Sequence, residues 1–117
     1  MLKELAGLLG VDKVFYVYLC LKVLDFITGV FSAYLKHEVK SRKMREGLIN
    51  AAAEIIVIIA IGFADIIFGT NFLMKTTKIA FAIKEILSIV ENAKRCGVSV
   101  PEEIIEKIKN YKIKVLY

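Results

Sequence analysis

The sequence predicts an all-α membrane protein with two or three transmembrane helices and a short C-terminal amphipathic helix, assembling as an oligomer. The chain has 117 residues, is 57% hydrophobic and contains a single proline. A soluble domain of this size buries only about two thirds of its surface, so it would leave many apolar side chains in water. The net charge is +5, and the basic residues cluster beside apolar segments, which favours membrane lipid over nucleic acid as a partner.

The first predicted span covers residues 14–34. As a helix it is about 31 Å long, which matches a hydrocarbon core of about 30 Å. Aromatic rings lie near both ends, with Phe15, Tyr16 and Tyr18 near the start and Phe31 and Tyr34 near the end. Aromatic side chains concentrate at the headgroup level of membranes, so these rings are predicted to mark the two interfaces.

The second predicted span covers residues 48–68 and ends at the turn-forming residues Gly69, Thr70 and Asn71. The loop before it is rich in basic residues. These are Lys36, Lys40, Arg42, Lys43 and Arg45. Basic loops stay on the cytoplasmic side, so the N-terminus is predicted to face outward and this first loop to face the cytoplasm.

The third predicted span, residues 72–93, is interrupted by Lys75, Lys78, Lys84 and Glu85. Four central charges cost about 12 kcal/mol, whereas the apolar residues return only about 4 kcal/mol, so the segment would not insert alone. It spans if Lys75 and Lys78 reach the outer interface and if Lys84 and Glu85 face other helices; otherwise it lies at the interface. Spanning would place the C-terminus in the cytoplasm.

The last predicted element is an amphipathic helix over residues 100–112. Its Ile104, Ile105 and Ile108 fall on one side, while lysines such as Lys107 and Lys109 alternate with apolar residues. This pattern is typical of a helix lying on an anionic inner leaflet. Residues 1–117 are therefore expected to form a single membrane domain.

Each predicted span carries polar residues on one side. Lys22 and Asp25 are three residues apart and can form an ion pair on one helix face. Glu54 and Asp65 are close to three full turns apart, so both point the same way from the second span. Polar stripes of this kind are expected to meet inside a bundle or to line water. Because one copy encloses little water, a homo-oligomer is predicted.

Most candidate residues for an oligomer or pore face follow from these stripes and from small residues that permit close helix contact. Ser88 and Glu91 are added because they belong to a segment that resembles a known family, named below. The candidates are Lys22, Asp25, Thr28, Gly29, Glu54, Asp65, Lys84, Glu85, Ser88, Glu91 and Asn92. Two interpretations stay open at this point. The stripes face water in an assembled pore, or pairs such as Lys22 with Asp25 and Lys84 with Glu85 only fix the rotation of each helix.

Enzymatic and metal chemistry is not expected. Cys20 and Cys96 lie far apart without metal-ligand spacing, and His37 is the only histidine. No pattern combines a nucleophile, a base and an orienting group. We therefore predict a protein that is not an enzyme and that needs no cofactor.

Three segments resemble the small phage holins of the toxin-secretion and phage-lysis type, found in Gram-positive phages and prophages. Residues 24–29, LDFITG, resemble that family's apolar-Asp-x-x-Thr-Gly signature. Ser41, basic residues and Gly47 precede the second span, as in the family. Residues 85–92, EILSIVEN, followed by residues 97–101, GVSVP, resemble its Asn-Glu-x-Leu-Ser-Ile-x-Glu-Asn segment and Gly-x-x-x-Pro tail. Lys84 departs from that pattern, which has Asn there.

The resemblance implies a pore-forming protein of the bacterial inner membrane. Many copies would accumulate harmlessly and then open together, which would release an endolysin or a secreted toxin. Two other functions remain compatible with the residues. One is a small proton-coupled exporter that uses an intramembrane acid such as Glu54, and the other is a structural adaptor subunit whose basic tail recruits a soluble partner.

Overall fold

The computed structural model describes residues 12–37 and 41–116, and the side chains of residues 112, 113, 115 and 116 are not described. These ranges form four α-helices, which confirms the predicted all-helical class. The helices are α1 (Lys13–Leu35), α2 (Ser41–Phe68), α3 (Leu73–Arg95) and α4 (Glu102–Leu116). Of the predicted basic loop, Lys40 lies outside the described residues.

The second helix begins earlier than the apolar pattern indicated. It starts at Ser41 rather than at residue 48, so Arg42, Lys43 and Arg45 lie in its first turns and not in a loop. An ion pair between Arg42 and Glu46, one turn apart at 3.3 Å, accompanies this extension. Arg and Lys are good helix formers, so the helix extends past the apolar segment that predicted it.

Local backbone chemistry sets the ends of α1 and α3. The Phe15 N–H donates to Asp12 Oδ1 at 2.9 Å, which satisfies one of the unpaired amides at the start of α1. The last turn of α3 leads into Gly97, whose φ of +94° falls in the left-handed region that favours glycine. Beyond it, the Val98 N–H donates to the Ala93 carbonyl at 3.0 Å and closes the helix end.

Helix α3 is the centre of the bundle, since it contacts each of the other three helices. It runs parallel to α1, because Asp12 contacts Lys78 and, further along both helices, Asp25 contacts Ser88. Helix α2 runs antiparallel to both. Helices α1 and α2 have little direct contact with each other.

The bundle has polar residues inside and apolar residues outside. Glu54, Lys78 and Glu85 are buried, whereas Phe31 and Ile67 are 61% and 77% exposed. Soluble proteins show the opposite distribution. Helices α1 and α2 are also long and apolar enough to cross a membrane. Lipid is the solvent in which this distribution of side chains is stable.

Candidate functional site

A group of polar side chains joins α1, α2 and α3 inside the apolar bundle. We call this group the buried polar network. Its members are Tyr18, Lys22, Asp25, Glu54, Lys84, Glu85, Ser88 and Asn92. Ionisable groups at membrane depth face the bundle interior and find partners there, and each of these helices contributes some of the partners.

Glu54 is the point at which α2 enters the network. The Tyr18 hydroxyl donates to Glu54 Oε2 at 2.6 Å, and the ring of Tyr18 is fully buried. Lys22 Nζ lies 2.8 Å from the same oxygen, while Lys84 Nζ contacts Glu54 Oε1. One carboxylate of α2 thus accepts from both neighbouring helices, so it fixes the rotation of α2 against α1 and α3.

Lys22 joins two acids that come from different helices. Its Nζ lies 2.8 Å from Glu54 Oε2 and 2.8 Å from Glu85 Oε1. Glu85 is 1% exposed, and Lys22 contributes the positive charge beside it. A buried carboxylate is costly unless it is paired, so Lys22 is the residue on which the stability of this cluster most depends.

Asp25 forms the second part of the network with side chains of α3. Asp25 Oδ1 accepts from Ser88 Oγ at 2.7 Å and from Asn92 Nδ2 at 3.0 Å. Asn92 Nδ2 also donates to Thr28 Oγ1 at 3.2 Å. Gly29 faces the same amide, since a Cβ added there would lie 3.7 Å from Asn92 Nδ2. The predicted candidates Asp25, Thr28, Gly29, Ser88 and Asn92 therefore meet in one place.

The network contains more acids than bases. Asp25, Glu54 and Glu85 face Lys22 and Lys84, which leaves a formal charge of −1 if all five groups are ionised. Glu85 Oε2 is buried without a hydrogen-bond partner in the described part of the chain. Buried polar atoms normally have a partner, so this atom marks the least satisfied point of the network.

The pairing within the network differs from the pairing expected from sequence spacing. Lys22 forms its ion pairs with Glu54 and Glu85 instead of Asp25, and Lys84 pairs with Glu54 instead of Glu85. Each of these lysines therefore pairs with an acid on a facing helix and not with the nearby acid on its own helix. The polar groups thus find partners inside a single chain, and a second copy is not needed to pair them.

Lys78 was expected to extend to the outer interface if the third segment spans, and its head group lies at the start of α1, the end of that helix predicted to face outward. Lys78 is buried, and its Nζ lies 2.8 Å from Asp12 Oδ2 at the start of α1. Desolvation raises the pKa of Asp12, but hydrogen bonds from Lys78 and the Phe15 N–H outweigh it and lower the pKa below its usual value. This pair joins the first turns of α1 and α3.

Thr28 and Gly29 border the network, whereas the predicted candidates Asp65 and Glu91 lie away from it. The Asp65 carboxylate accepts from the backbone N–H groups of Leu73 at 3.1 Å and Met74 at 2.8 Å, and from the Thr70 hydroxyl. It therefore caps α3 and closes the α2–α3 turn. Glu91 is exposed and lies 3.6 Å from Arg95 one turn later.

Sequence reasoning assigned Tyr18 to an aromatic belt and did not count it among the candidates. The structure buries it against Glu54. Tyr18 lies one turn before Lys22 and two turns before Asp25, so it shares their helix face, and that spacing was the available signal. Within the described ranges, no three His, Cys, Asp or Glu side chains are arranged to hold a metal ion.

Comparison with known proteins gives concordant matches. The profile of the bacteriophage holin family matches residues 5–113. A probable holin of Bacillus phage phi105 is 32% identical over 104 residues, which cover 88% of this chain and 77% of the phage protein.

Bacterial proteins of undescribed function match as well. A Listeria monocytogenes protein is 31% identical over 93 residues, which cover 79% of this chain and 66% of that protein, slightly under two thirds of its length. A Bacillus subtilis protein is 27% identical over 103 residues, covering 87% of this chain and 74% of that protein. No solved structure matches the chain.

Proposed function

Because this chain belongs to the bacteriophage holin family, we propose that it assembles with further copies in the bacterial inner membrane and opens pores there. The pores release an endolysin or a secreted toxin. The observation that carries this proposal is the buried polar network, which joins five charged side chains of three helices in a bundle with an apolar exterior. Glu54 and Glu85 are buried in it, and Lys84, whose side chain is 48% exposed, lies at its edge. A simple membrane anchor has no need of such a group.

In the closed state, each copy keeps its charges paired within itself. Glu54, Lys22 and Lys84 satisfy one another, and Asp25 is held by Ser88 and Asn92. A single copy is therefore compatible with lipid, and many copies are able to accumulate without permeabilising the membrane. This is the resting state that a timed lysis protein requires.

In the open state, α1 and α3 separate and expose the network to water. Lys22, Glu54 and Glu85 then exchange their partners within one chain for water or for groups of neighbouring copies. Glu85 is the weakest point of the closed network, because its Oε2 is buried without a hydrogen-bond partner in the described part of the chain. Water that reaches Glu85 satisfies this atom, so opening costs less than it would for a fully satisfied network.

Contact between copies is proposed to use the outer face of α2. Ala60 is exposed there and Ala64 is half-buried one turn later, so the two leave a shallow notch beside large apolar side chains. Small residues at this spacing allow helices to approach closely in membranes. The apolar faces of α1 and α2 otherwise contact lipid.

The proposed topology has the N-terminus outside, the first loop inside and the C-terminus inside. Helix α3 runs parallel to α1 along contacts from Asp12 and Lys78 to Asp25 and Ser88. If α1 crosses the membrane, a parallel helix of the same 23 residues spans the same depth. Two of its charged side chains, Lys78 and Glu85, are buried against other helices, and Lys84 is paired with Glu54.

The test is a reversible lock between α1 and α3. Asp25 and Ser88 are replaced by cysteine in a background carrying C20S and C96S, because Ser88 Oγ lies 2.7 Å from Asp25 Oδ1. The protein is reconstituted into vesicles containing a fluorescent dextran and treated with a short reducible thiol cross-linker. We expect the linked protein to retain the dextran and the reduced protein to release it.

The matched controls are the D25C and S88C single variants, each treated with the same reagent. They are expected to release the dextran both before and after reduction. Release by the linked double variant at the rate of these controls would contradict opening by separation of α1 and α3. Retention of the dextran by the unlinked protein at every protein density would contradict pore formation itself.

A further inference from the structure

Two adjacent cavities lie where α1 and α2 diverge. The first has a volume of about 540 Å³ and the second about 620 Å³, and both are lined in part by Asp25, Phe26 and Gly47. Volumes of this size are typical of sites for small molecules. Because α1 and α2 have little direct contact with each other, the two cavities together form a groove between the helices.

The first cavity has a basic end. Lys36 follows α1, Lys43 lies in the first turn of α2 and Arg95 is the last residue of α3, so three elements bring positive charge to one opening. Among the described residues, Arg95 has the exposed Glu91 as its one ion-pair partner, at 3.6 Å, and neither Lys36 nor Lys43 forms an ion pair. The basic end thus attracts an anion.

The acid of the cavity lies far from these bases. Asp25 precedes Lys36 by eleven positions, which is about 16 Å along a helix. Asp25 is also held by Ser88 and Asn92, so its charge is directed toward α3. An anion at the basic end therefore lies far from Asp25, and the nearer acid, Glu91, is paired with Arg95 at 3.6 Å.

The second cavity supplies an apolar continuation of the first. Its wall is mostly apolar, formed by Leu19, Val23, Leu48, Ala51 and Ile55, and one side borders the buried polar network at Lys22, Lys84 and Glu85. From Lys36 back to Val23 the distance along the helix is about 20 Å, which exceeds half of a hydrocarbon core about 30 Å thick. An acyl chain of one leaflet therefore fits this length.

We propose that this groove binds an anionic phospholipid, with its phosphate at Lys36, Lys43 and Arg95 and an acyl chain along the apolar cavity. Basic pockets between membrane helices on the cytoplasmic side are suited to such headgroups. This end of α1 and α2 carries the basic segment that the positive-inside rule assigns to the cytoplasm. The proposal requires insertion of α1 and α2 into the membrane, but it does not require pore formation.

The first experiment measures lipid binding to the purified full-length protein in a non-ionic detergent by native mass spectrometry. Phosphatidylglycerol and phosphatidylcholine with the same acyl chains are compared. The variant K36Q/K43Q/R95Q is expected to bind phosphatidylglycerol about 100-fold more weakly than the unmodified protein. The control K107Q/K109Q/K114Q removes the same charge from α4 and is expected to bind as the unmodified protein does.

A second variant tests the apolar part of the groove. A Cβ at Gly47 would meet no atom within 4 Å, so Gly47→Leu is compatible with the fold and fills the junction of the two cavities. We expect it to weaken phosphatidylglycerol binding about tenfold. The control Ala53→Leu adds a leucine at an exposed position of α2 outside both cavities and is expected to leave binding unchanged.

Three results would overturn the proposal. Equal binding of the two lipids would exclude recognition of the anionic headgroup. Competition by inorganic phosphate at the same concentration as lipid, with no effect of Gly47→Leu, would assign the basic end to free phosphate. If Gly47→Leu binds lipid as the unmodified protein does but no longer forms a dimer that a chemical cross-linker can trap, the groove would be assigned to a second copy. Dextran release does not enter these readouts, so failure of pore formation is recognised separately.

Discussion

Helices α2 and α3 reach the same bundle with opposite compositions. Helix α2 is long and apolar enough to cross a membrane unaided, and Glu54 is the acid near its middle. Helix α3 carries Lys78, Lys84 and Glu85, and its composition does not meet the same criterion. Glu54 and Lys84 nevertheless contact each other. Whether a charged helix fits this bundle therefore depends on the partners on facing helices more than on its own hydropathy.

The comparison also indicates where the bundle is most sensitive. Helix α2 depends little on α3 for its solubility in lipid, whereas α3 depends on Lys22, Glu54 and Asp12 for the pairing of its charges. Substitutions that remove those partners are expected to destabilise α3 first. Substitutions on the outer face of α2 are expected to have little effect on stability.

The largest predicted effect is that of Lys22→Met. It leaves Glu85 without its cation and leaves Lys84 as the one cation at Glu54. The bundle should therefore lose about 3 kcal/mol of unfolding free energy. Denaturation in detergent micelles, followed by circular dichroism, measures the loss. Lys13→Met, at the exposed start of α1, is the control and should change stability little. Equal stability of the two variants would contradict the dependence of α3 on Lys22.

A smaller loss is expected for Glu54→Gln, about 1 to 2 kcal/mol. The amide oxygen still accepts from Tyr18 or Lys22, and the formal charge of the network becomes zero. Measurement by the same denaturation should place this variant between the unmodified protein and Lys22→Met. A loss larger than that of Lys22→Met would mean that α2, and not α3, depends most on the network.

Asn92→Ala tests the Asp25 part of the network on its own. It removes donors to Asp25 Oδ1 and Thr28 Oγ1, while Ser88 still donates to Asp25, so a loss of about 1 kcal/mol is expected. Asn50→Ala, at an exposed position of α2, is the matched control. If the stabilities of Asn92→Ala and Asn50→Ala differ by less than the experimental error, a structural role for Asn92 would be excluded.

The smallest effect is expected at the Asp12–Lys78 pair, and it depends on pH. The pKa of Asp12 is lower in the folded protein, so the pair stabilises the fold fully at pH values above the ordinary aspartate pKa of about 3.9. That stabilisation is lost as the pH falls through the lowered pKa. Asp12 is half exposed at 51%, so the effect is expected to be below about 1 kcal/mol. Unfolding at pH 7 and pH 3 should differ less in Asp12→Asn than in the unmodified protein.

The sequence predicted the helices better than it predicted their partners. The apolar segments that became α1 and α2 depend on local composition, which is visible in the chain. The extension of α2 to Ser41 was missed because a helix continues into charged residues whose propensity permits it. The C-terminal helix was also found, because its apolar residues fall on one side.

The pairing of the charges could not be predicted in the same way. Lys22 is close to Asp25 in sequence, yet its partners are Glu54 and Glu85 on other helices. Spacing shows which residues share a face of one helix, but the depth and rotation of a neighbouring helix are set by the packing of the whole bundle. Asp65 acts as a cap of α3 because the turn after α2 folds back, and no stripe predicts that.

Cross-linking of mixed chains distinguishes a buried polar network that closes within one chain from one that forms between copies. Two versions of the chain, D25C and S88C, both carrying C20S and C96S, are produced together in one membrane and treated with a short thiol cross-linker. If the network closes within one chain, no covalent dimer should form from this mixture, whereas the chain that carries both cysteines should link internally and remain a monomer. Covalent dimers from the mixture, with no internal link in the double variant, would show that the network forms between copies.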